Sequence, residues 1–267
     1  MRAYVNYFRL RVITALQYRA AAISGFFTQL FFGFIYLMVY LAFYESNSSS
    51  SLPMNFPNLV NYLWISQAFF ALTYPYEKDQ SLMKMIKNGN LAYELVRPQN
   101  FYLKFYIKMI AKKVVNASLR CGPLIIVASL LPDPLKLTFP SIRVILVFII
   151  SLLLSCLLVS ALSMFIHIVM MFTIDSKGIV NIYGVIAETF MGMIVPLPFF
   201  PSFLRKIANV LPFRFISDFP FRLFSGDIAL NGVFKLICLS LMWIVITNVI
   251  NVFLSNLALK KAVIQGG

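Results

Sequence analysis

The sequence contains few of the residues that carry enzyme chemistry. It has only nine acidic residues, one histidine and three widely separated cysteines. No two cysteines form a C-x-x-C pair, so neither a redox motif nor a zinc site is indicated. The phosphate loop G-x-x-x-x-G-K-[ST] and the hydrolase motifs G-x-S-x-G and H-E-x-x-H are also missing. We therefore expect no catalytic residue, no metal site and no cofactor in this chain.

Charged residues of either sign are scarce as well. They make up 12% of the chain, and hydrophobic residues make up 60%, against roughly 25% and 45–50% in soluble domains. A water-soluble fold could not cover so much apolar surface, whereas a bilayer solvates it. The net charge is +14, but the basic residues lie between long apolar runs. This arrangement favours membrane lipids as partners and argues against nucleic acid.

Six apolar stretches have about the 20 residues needed to cross a bilayer. They are residues 22–44, 59–76, 114–131, 142–172, 179–195 and 233–257. Each must be helical, because backbone amides in lipid need partners within the segment. With a cytoplasmic N-terminus, fifteen of the 23 Lys and Arg residues lie inside and seven outside, as the positive-inside rule requires. We predict an all-α, six-span membrane protein, one domain over 1–267, with both termini in the cytoplasm.

Two segments outside the spans show the pattern of helices at the membrane surface. Residues 1–21 carry apolar side chains at helical spacing, which is typical of an interfacial helix. Residues 196–228 contain two short apolar pieces, one after Pro201 and one that Gly226 ends. We interpret the second segment as an external re-entrant hairpin between spans five and six, since backbone at that depth needs protein around it.

The loop between spans two and three, residues 77–100, is too long for a simple turn. Leu82, Met85 and Ile86 share one face of a short helix there, and Gly89 fits its end. An exposed apolar face of this kind indicates a protein partner. Packing of the same face on the membrane surface is the alternative.

Asn100 can cap the next helix, whose first turns carry three lysines on one side. Lys104, Lys108 and Lys112 recur every four residues and so form a single stripe. We expect this stripe to reach toward lipid headgroups. A contact with an acidic partner surface is the alternative.

Polar residues inside the spans are the remaining candidates. Arg120 is costly in a bilayer, and it either pairs with a carboxylate such as Glu188 or serves transport. Gly184, Glu188 and Gly192 fall on one face of the fifth span, where small residues allow close helix packing. The same face could instead line a translocation path. We treat Arg120, Gly184, Glu188 and Gly192 as candidates for either role.

Three segments carry a resemblance to a known family. They are residues 86–98 (IKNGNLAYELVRP), residues 195–226 (with PLPFFPSFLRKIANVLPFRFISDFPFRLFSG) and residues 260–267 (KKAVIQGG). Together with the layout, they resemble the permease subunit of type-2 ATP-binding-cassette exporters, in the branch of small six-span permeases paired with a separate ATPase. The resemblance covers nearly the whole chain, but it is specific only in these segments.

The resemblance implies partners and roles. Residues 78–97 would include a coupling helix that docks on the ATPase through Leu82, Met85, Ile86 and Gly89. Residues 1–21 would be the elbow helix, and residues 196–228 would close the outer gate. Two copies of a P-loop ATPase would bind ATP and Mg²⁺, and a second permease, identical or a sister chain, would complete the path. The location would be the bacterial cytoplasmic membrane.

Two other functions are compatible with the residues. A secondary carrier or channel could use Arg120 and Glu188, although carriers often repeat broken helices in both halves and no such repeat is seen. A membrane immunity or scaffold protein would transport nothing and would need no ATPase.

Overall fold

The described part of the chain consists of helices joined by loops, and the all-α prediction is confirmed for it. A computed structural model describes residues 2–17, 19–47, 52–75, 79–88, 99–173 and 177–261. Within these residues there are eleven α-helices and no strand. The helices are α1 Arg2–Leu16, α2 Arg19–Ser46, α3 Phe56–Ala68, α4 Phe70–Thr73, α5 Gln80–Lys87, α6 Phe101–Ser129, α7 Ile142–Val169, α8 Lys177–Phe190, α9 Ser202–Val210, α10 Asp218–Ser225 and α11 Val233–Lys261.

Three of the described helices are long and apolar enough to cross a membrane. They cover Ala22–Ser46, Ile142–Phe172 and Leu230–Lys260, and they coincide with predicted spans one, four and six. The helix Gly178–Phe190 is apolar but shorter, and it corresponds to predicted span five. The six-span topology therefore stays a prediction for spans two, three and five.

Predicted spans two and three differ from plain helices. The second span is broken, because α3 ends at Ala68 and α4 starts at Phe70, with Phe69 between them outside helical geometry. The third span is the second half of α6, which contains Pro123 inside the helix. Proline removes a backbone hydrogen bond there, and neighbouring helices make this tolerable in a membrane.

α2 packs closely on α3 because Gly33 faces the ring of Trp64. A Cβ at position 33 would lie 2.7 Å from Cζ3 of Trp64. Phe34 meets the same ring edge to face, with centroids 5.4 Å apart. The indole N–H of Trp64 donates to the carbonyl of Leu135 at 2.9 Å. α3 thus holds both α2 and the loop that follows α6.

α1 packs mainly against α6, and α10 packs against α3 and α7. The contact of α1 includes a hydrogen bond from the backbone N–H of Asn100 to the hydroxyl of Tyr4 at 3.1 Å. Asn100 also caps α6 as predicted, accepting from the backbone N–H of Leu103 at 2.9 Å. The N-terminal helix is therefore fixed at the start of α6.

Candidate functional site

α5 begins at an acidic cap that is itself held by a lysine. The carboxylate of Asp79 accepts hydrogen bonds from the backbone N–H groups of Ser81 and Leu82 at 2.9 and 3.1 Å. Such a cap satisfies donors that the first helical turn leaves without partners. The same carboxylate forms an ion pair with Nζ of Lys108 in α6 at 2.5 Å. The start of α5 is therefore tied directly to α6.

Four further bonds hold the backbone before this cap and at the cap residue itself. Nζ of Lys113 donates to the carbonyl of Tyr74 at 2.7 Å. The carbonyl of Pro75 accepts from the hydroxyls of Ser163, at 3.1 Å, and Tyr183, at 3.3 Å. The fourth bond involves His167 and is described next. We call this set the α4–α5 joint; it comprises Tyr74, Pro75, Asp79, Lys108, Lys113, Ser163, His167 and Tyr183.

The only histidine of the sequence belongs to this joint. The backbone N–H of Asp79 donates to Nε2 of His167 at 3.1 Å. Nδ1 of His167 lies 2.8 Å from the carbonyl of Ser163. Because Nε2 accepts, Nδ1 carries the proton, and the ring is the neutral Nδ1–H tautomer. His167 thus bridges α7 to the start of α5, so α6, α7 and α8 all bind the same short segment.

The charge of Asp79 is strongly favoured in this setting. Burial alone would raise its pKa, but hydrogen bonds from Lys108 and Ser81 and the charge of Lys108 outweigh burial and lower the pKa to about 2. The ordinary value is 3.8. The ion pair therefore contributes its full stabilisation above about pH 4 and loses it as the pH falls toward 2.

We expect Asp79→Ala to lower the stability of the chain at pH 7 by about 1–2 kcal/mol, because it removes a helix cap and an ion pair. Asp79→Asn keeps a capping oxygen and should cost less. The measurement is the melting temperature in detergent from pH 7 down to pH 3. The gap between wild type and Asp79→Ala should stay constant to about pH 4 and narrow below it. A gap that widened on acidification would contradict the assignment.

The two faces of α5 differ from the expected arrangement. Leu82 is only 1% exposed and packs on Phe101, Tyr102 and neighbouring residues. The expectation of an exposed apolar face is therefore wrong for Leu82, since this side chain anchors α5 to its own chain. Met85 and Ile86 are half-buried at the edge of the same cluster. Gly89 lies outside the described residues. Among the described side chains of α5 and its C-terminal cap, the exposed ones are polar: Gln80, Ser81, Lys84 and Asn88.

The three lysines of the α6 stripe lie in different environments. Lys104 is 7% exposed, Lys108 pairs with Asp79, and Lys112 is exposed. The expectation that all three lysines reach toward headgroups is therefore wrong for Lys108, whose acidic partner is within the chain.

Asp79 was missed in the sequence, although an acidic residue directly before an amphipathic run is a recognised cap signal.

Arg120 and Glu188 are not brought together. Arg120 lies against Gly25 of α2, where a Cβ would come within 2.7 Å of its Nε. Its side chain lines a cavity between α2, α3, α4 and α6 to which Glu188 does not contribute. Glu188 is half-buried on α8, and Gly184 is buried on the same helix. The proposed pairing of Arg120 with Glu188 is therefore wrong in this structure.

Gly192 does not share the face of Gly184 and Glu188, because α8 ends at Phe190. Gly192 has a positive φ of 79°, a conformation that favours glycine. Its carbonyl accepts from the hydroxyl of Tyr62 at 2.8 Å, and a Cβ there would lie 3.3 Å from Oδ1 of Asp218. Gly192 is thus required for a close approach between the turn after α8, α3 and α10.

Asp218 is the fully buried charge of this contact. Its carboxylate accepts from the backbone N–H of Leu197 at 3.3 Å and lies 3.5 Å from Nη1 of Arg222. Nε of Arg222 binds Asp227 at 2.6 Å. We call Tyr62, Gly192, Asp218, Arg222 and Asp227 the Asp218 cluster. It joins the turn after α8, α10 and the residues after α10 to α3, and no motif in the sequence predicted it.

The comparison with known protein families agrees with this architecture. The family described as ABC-2 family transporter protein matches residues 30–266, which is nearly the whole chain. The chain belongs to this family. It is therefore a multi-pass membrane permease of an ABC transporter, as the resemblance implied, and permeases of this family work with an ATP-binding subunit. No curated protein matches the chain.

Proposed function

We propose that this permease is half of an ABC exporter. Two permease chains, identical or sister, would form the translocation path, and two copies of a separate P-loop ATPase would bind ATP and Mg²⁺ and drive transport. The observation that supports this proposal is the α4–α5 joint. A short amphipathic helix that is bonded to three other helices, through its own first residues and through Pro75 before them, can transmit force from a partner to all of them.

In this proposal α5 is the coupling helix and faces the cytoplasm of a bacterial cell, where both termini also lie. The chain crosses the cytoplasmic membrane six times, with residues 1–21 as the interfacial elbow. Residues 196–228 form the external re-entrant hairpin and close the outer gate. The buried α10, which packs on α3 and α7, supports that role, because a gate must seal against the spans that move.

Purification of the chain from its native membrane in mild detergent tests the proposal. We expect a P-loop ATPase to co-purify at equal stoichiometry and to hydrolyse ATP in the complex. Reconstituted liposomes should then show flux that requires ATP. Flux driven by an ion gradient without any ATPase would contradict the proposal, and so would a stable chain from which an ATPase is always missing.

Met85→Asp is expected to impair binding of the ATPase while the permease still folds and inserts. Met85 is half-buried, so a charge there can remain at the surface while it spoils an apolar contact with a partner. The variant should insert at wild-type level but lose transport and most of the co-purifying ATPase. Immunoblotting of membranes and ATP hydrolysis by the purified complex measure the two effects.

Leu82→Asp is the contrasting variant. Leu82 is buried, so an unpaired charge there should destabilise the chain itself. If Met85→Asp reduced the amount of protein as strongly as Leu82→Asp, Met85 would have a structural role. Wild-type transport by Met85→Asp would place the docking surface elsewhere.

A further inference from the structure

The cavity beside Arg120 has the size and the walls of a small-molecule site. Its volume is about 360 Å³, within the range of roughly 300–1,000 Å³ typical of ligand pockets. It lies between α2, α3, α4 and α6, which belong to predicted spans one, two and three, close to the break at Phe69. Its lining is Ser24, Gly25, Thr28, Gln29, Phe32, Tyr36, Gln67, Phe70, Arg120 and Met193.

The charge of this lining has one sign. Arg120 supplies a guanidinium, and none of the described lining residues is acidic. The guanidinium reaches the cavity wall because Gly25 has no side chain. A Cβ at position 25 would lie 2.7 Å from Nε of Arg120. A guanidinium in a low-dielectric site favours carboxylates and phosphates, which it can bind through two hydrogen bonds.

A buried amide gives an independent indication of a ligand. Gln29 is only 5% exposed, and its Oε1 has no hydrogen-bond partner among the described residues. A buried polar atom left in this state costs about 1–3 kcal/mol. Gln67, across the cavity, is 3% exposed. Two buried glutamine side chains in largely apolar helices are costly where they serve packing alone, but they suit a polar ligand.

The rest of the cavity is suited to a partly apolar molecule. Phe32, Phe70 and Met193 contribute apolar surface. Ser24 and Thr28 are exposed where α2 meets the cavity. A ligand can therefore enter along α2 with its apolar part in the membrane and its polar head against Arg120 and Gln29.

We propose that this cavity binds the anionic head, a carboxylate or a phosphate, of an amphiphile, with Arg120 and Gln29 as the binding residues. This inference deepens the proposed transport function, on which it rests, because the amphiphile would be either the exported substrate or a membrane lipid held at the path. Arg120 binds the charge, and Gln29 selects a head that can also donate a hydrogen bond.

The test is equilibrium binding of tritiated laurate to the purified chain in a neutral maltoside detergent. We expect saturable binding, at least tenfold weaker in Arg120→Gln. Dodecyl phosphate should compete, whereas dodecyltrimethylammonium should not. Arg143→Gln is the matched control, because Arg143 is exposed at the start of α7 and its loss should leave the affinity unchanged.

Gln29→Leu keeps the test informative if Arg120→Gln does not fold. Leucine has a similar size and removes a buried acceptor, so the variant should melt at or above the wild-type temperature. Its affinity for dodecyl phosphate, whose monoanion carries a P–O–H donor, should nevertheless fall several-fold, whereas its affinity for laurate, which has no donor, should change little. Lower stability together with unchanged affinity for dodecyl phosphate would show that Gln29 has only a packing role and would overturn the proposal.

Phosphatidylglycerol, added as a competitor, distinguishes the two sources of the head group. Competition at a few mole per cent in the micelle identifies a lipid site, and its absence with laurate still bound identifies a transported solute. Competition by the cationic amphiphile equal to that by dodecyl phosphate, or wild-type affinity in a folded Arg120→Gln, would overturn the proposal. Because the chain alone is used, failure to recover an ATPase would contradict the proposed function without affecting this result.

Discussion

Lys113→Met is expected to loosen the α4–α5 joint and so to weaken the proposed coupling through α5. Lys113 is fully buried, and its Nζ donates to the carbonyl of Tyr74 at 2.7 Å. Methionine fills a similar volume but cannot donate, so the carbonyl would lose a charged hydrogen bond worth about 1.5–3 kcal/mol. If this energy holds the joint in its working geometry, ATP-driven transport should fall at least tenfold, since every 1.4 kcal/mol is a factor of ten.

The measurement combines transport with hydrogen exchange. We expect faster amide exchange over residues 79–88 in the purified Lys113→Met chain, while α2 and α11 keep wild-type protection. Lys112→Met is the matched control, because Lys112 is the adjacent residue and is exposed. Lys112→Met should change neither the transport rate nor the amide exchange rate by more than about twofold. Equal effects of the two substitutions would show that the loss of a positive charge matters and the hydrogen bond does not.

Local signals in the sequence predicted the parts of the fold that depend on neighbouring residues. Asn100 caps α6 as its position indicated, and Gly226 ends α10 with a φ of 86°. The long apolar runs likewise coincide with α2, α7 and α11. Capping depends on a few residues, and membrane insertion depends on about 20. Both are therefore visible in a single sequence.

The joint could not be predicted in this way, because its bonds connect distant residues. His167 binds the backbone N–H of Asp79, 88 positions away, and Tyr183 binds the carbonyl of Pro75, 108 positions away. The acceptors in this set include main-chain carbonyls, which leave no trace in the amino-acid pattern. Only the polar residues inside apolar runs, such as Ser163, were a usable signal, because a polar group in a membrane requires a partner.

The prediction that Leu82 is exposed was wrong for the same reason, because the contacts that bury it are not visible in the local sequence. Helical spacing correctly placed Leu82, Met85 and Ile86 near one another on α5. Spacing cannot tell whether such a face meets another chain or its own, because both bury apolar surface equally well. The structure buries Leu82 against the start of α6, so the partner surface that we propose is smaller and more polar than the sequence suggested.

α3 and α4 connect the joint to the Asp218 cluster. Tyr62 of α3 bonds to Gly192 in the cluster, and Tyr74, which follows α4, bonds to Lys113 in the joint. Twelve residues of helix span about 18 Å, and the break at Phe69 lies between these two points. In the proposed mechanism, a displacement of α5 would therefore reach the predicted hairpin through α3 and α4, with Phe69 as the position where their angle changes.

The Asp218 cluster is thus where the proposed outer gate should be most sensitive, and we expect Asp218→Ala to lower the stability of the chain strongly. The variant would leave the backbone N–H of Leu197 without its acceptor and Arg222 with only one of its two carboxylates. Breaking a buried pair costs about 3–5 kcal/mol. Because the side chain of Arg222 is 22% exposed and keeps Asp227, the lower end of that range applies. A loss of about 3 kcal/mol corresponds to a decrease in melting temperature of roughly 5–10 °C.

Asp218→Asn separates the hydrogen bond from the charge. The amide oxygen still accepts from Leu197, so this variant should recover part of the stability, whereas the ion pair with Arg222 stays lost. Glu45→Ala is the control for removal of a carboxylate, since Glu45 is exposed at the end of α2 and should melt within about 1 °C of wild type. In reconstituted complexes, a loosened hairpin should let a small dye leak through the Asp218→Ala protein without ATP. An Asp218→Ala protein that leaks no dye and melts at the wild-type temperature would mean that the buried carboxylate neither holds the predicted hairpin on α3 nor closes the path.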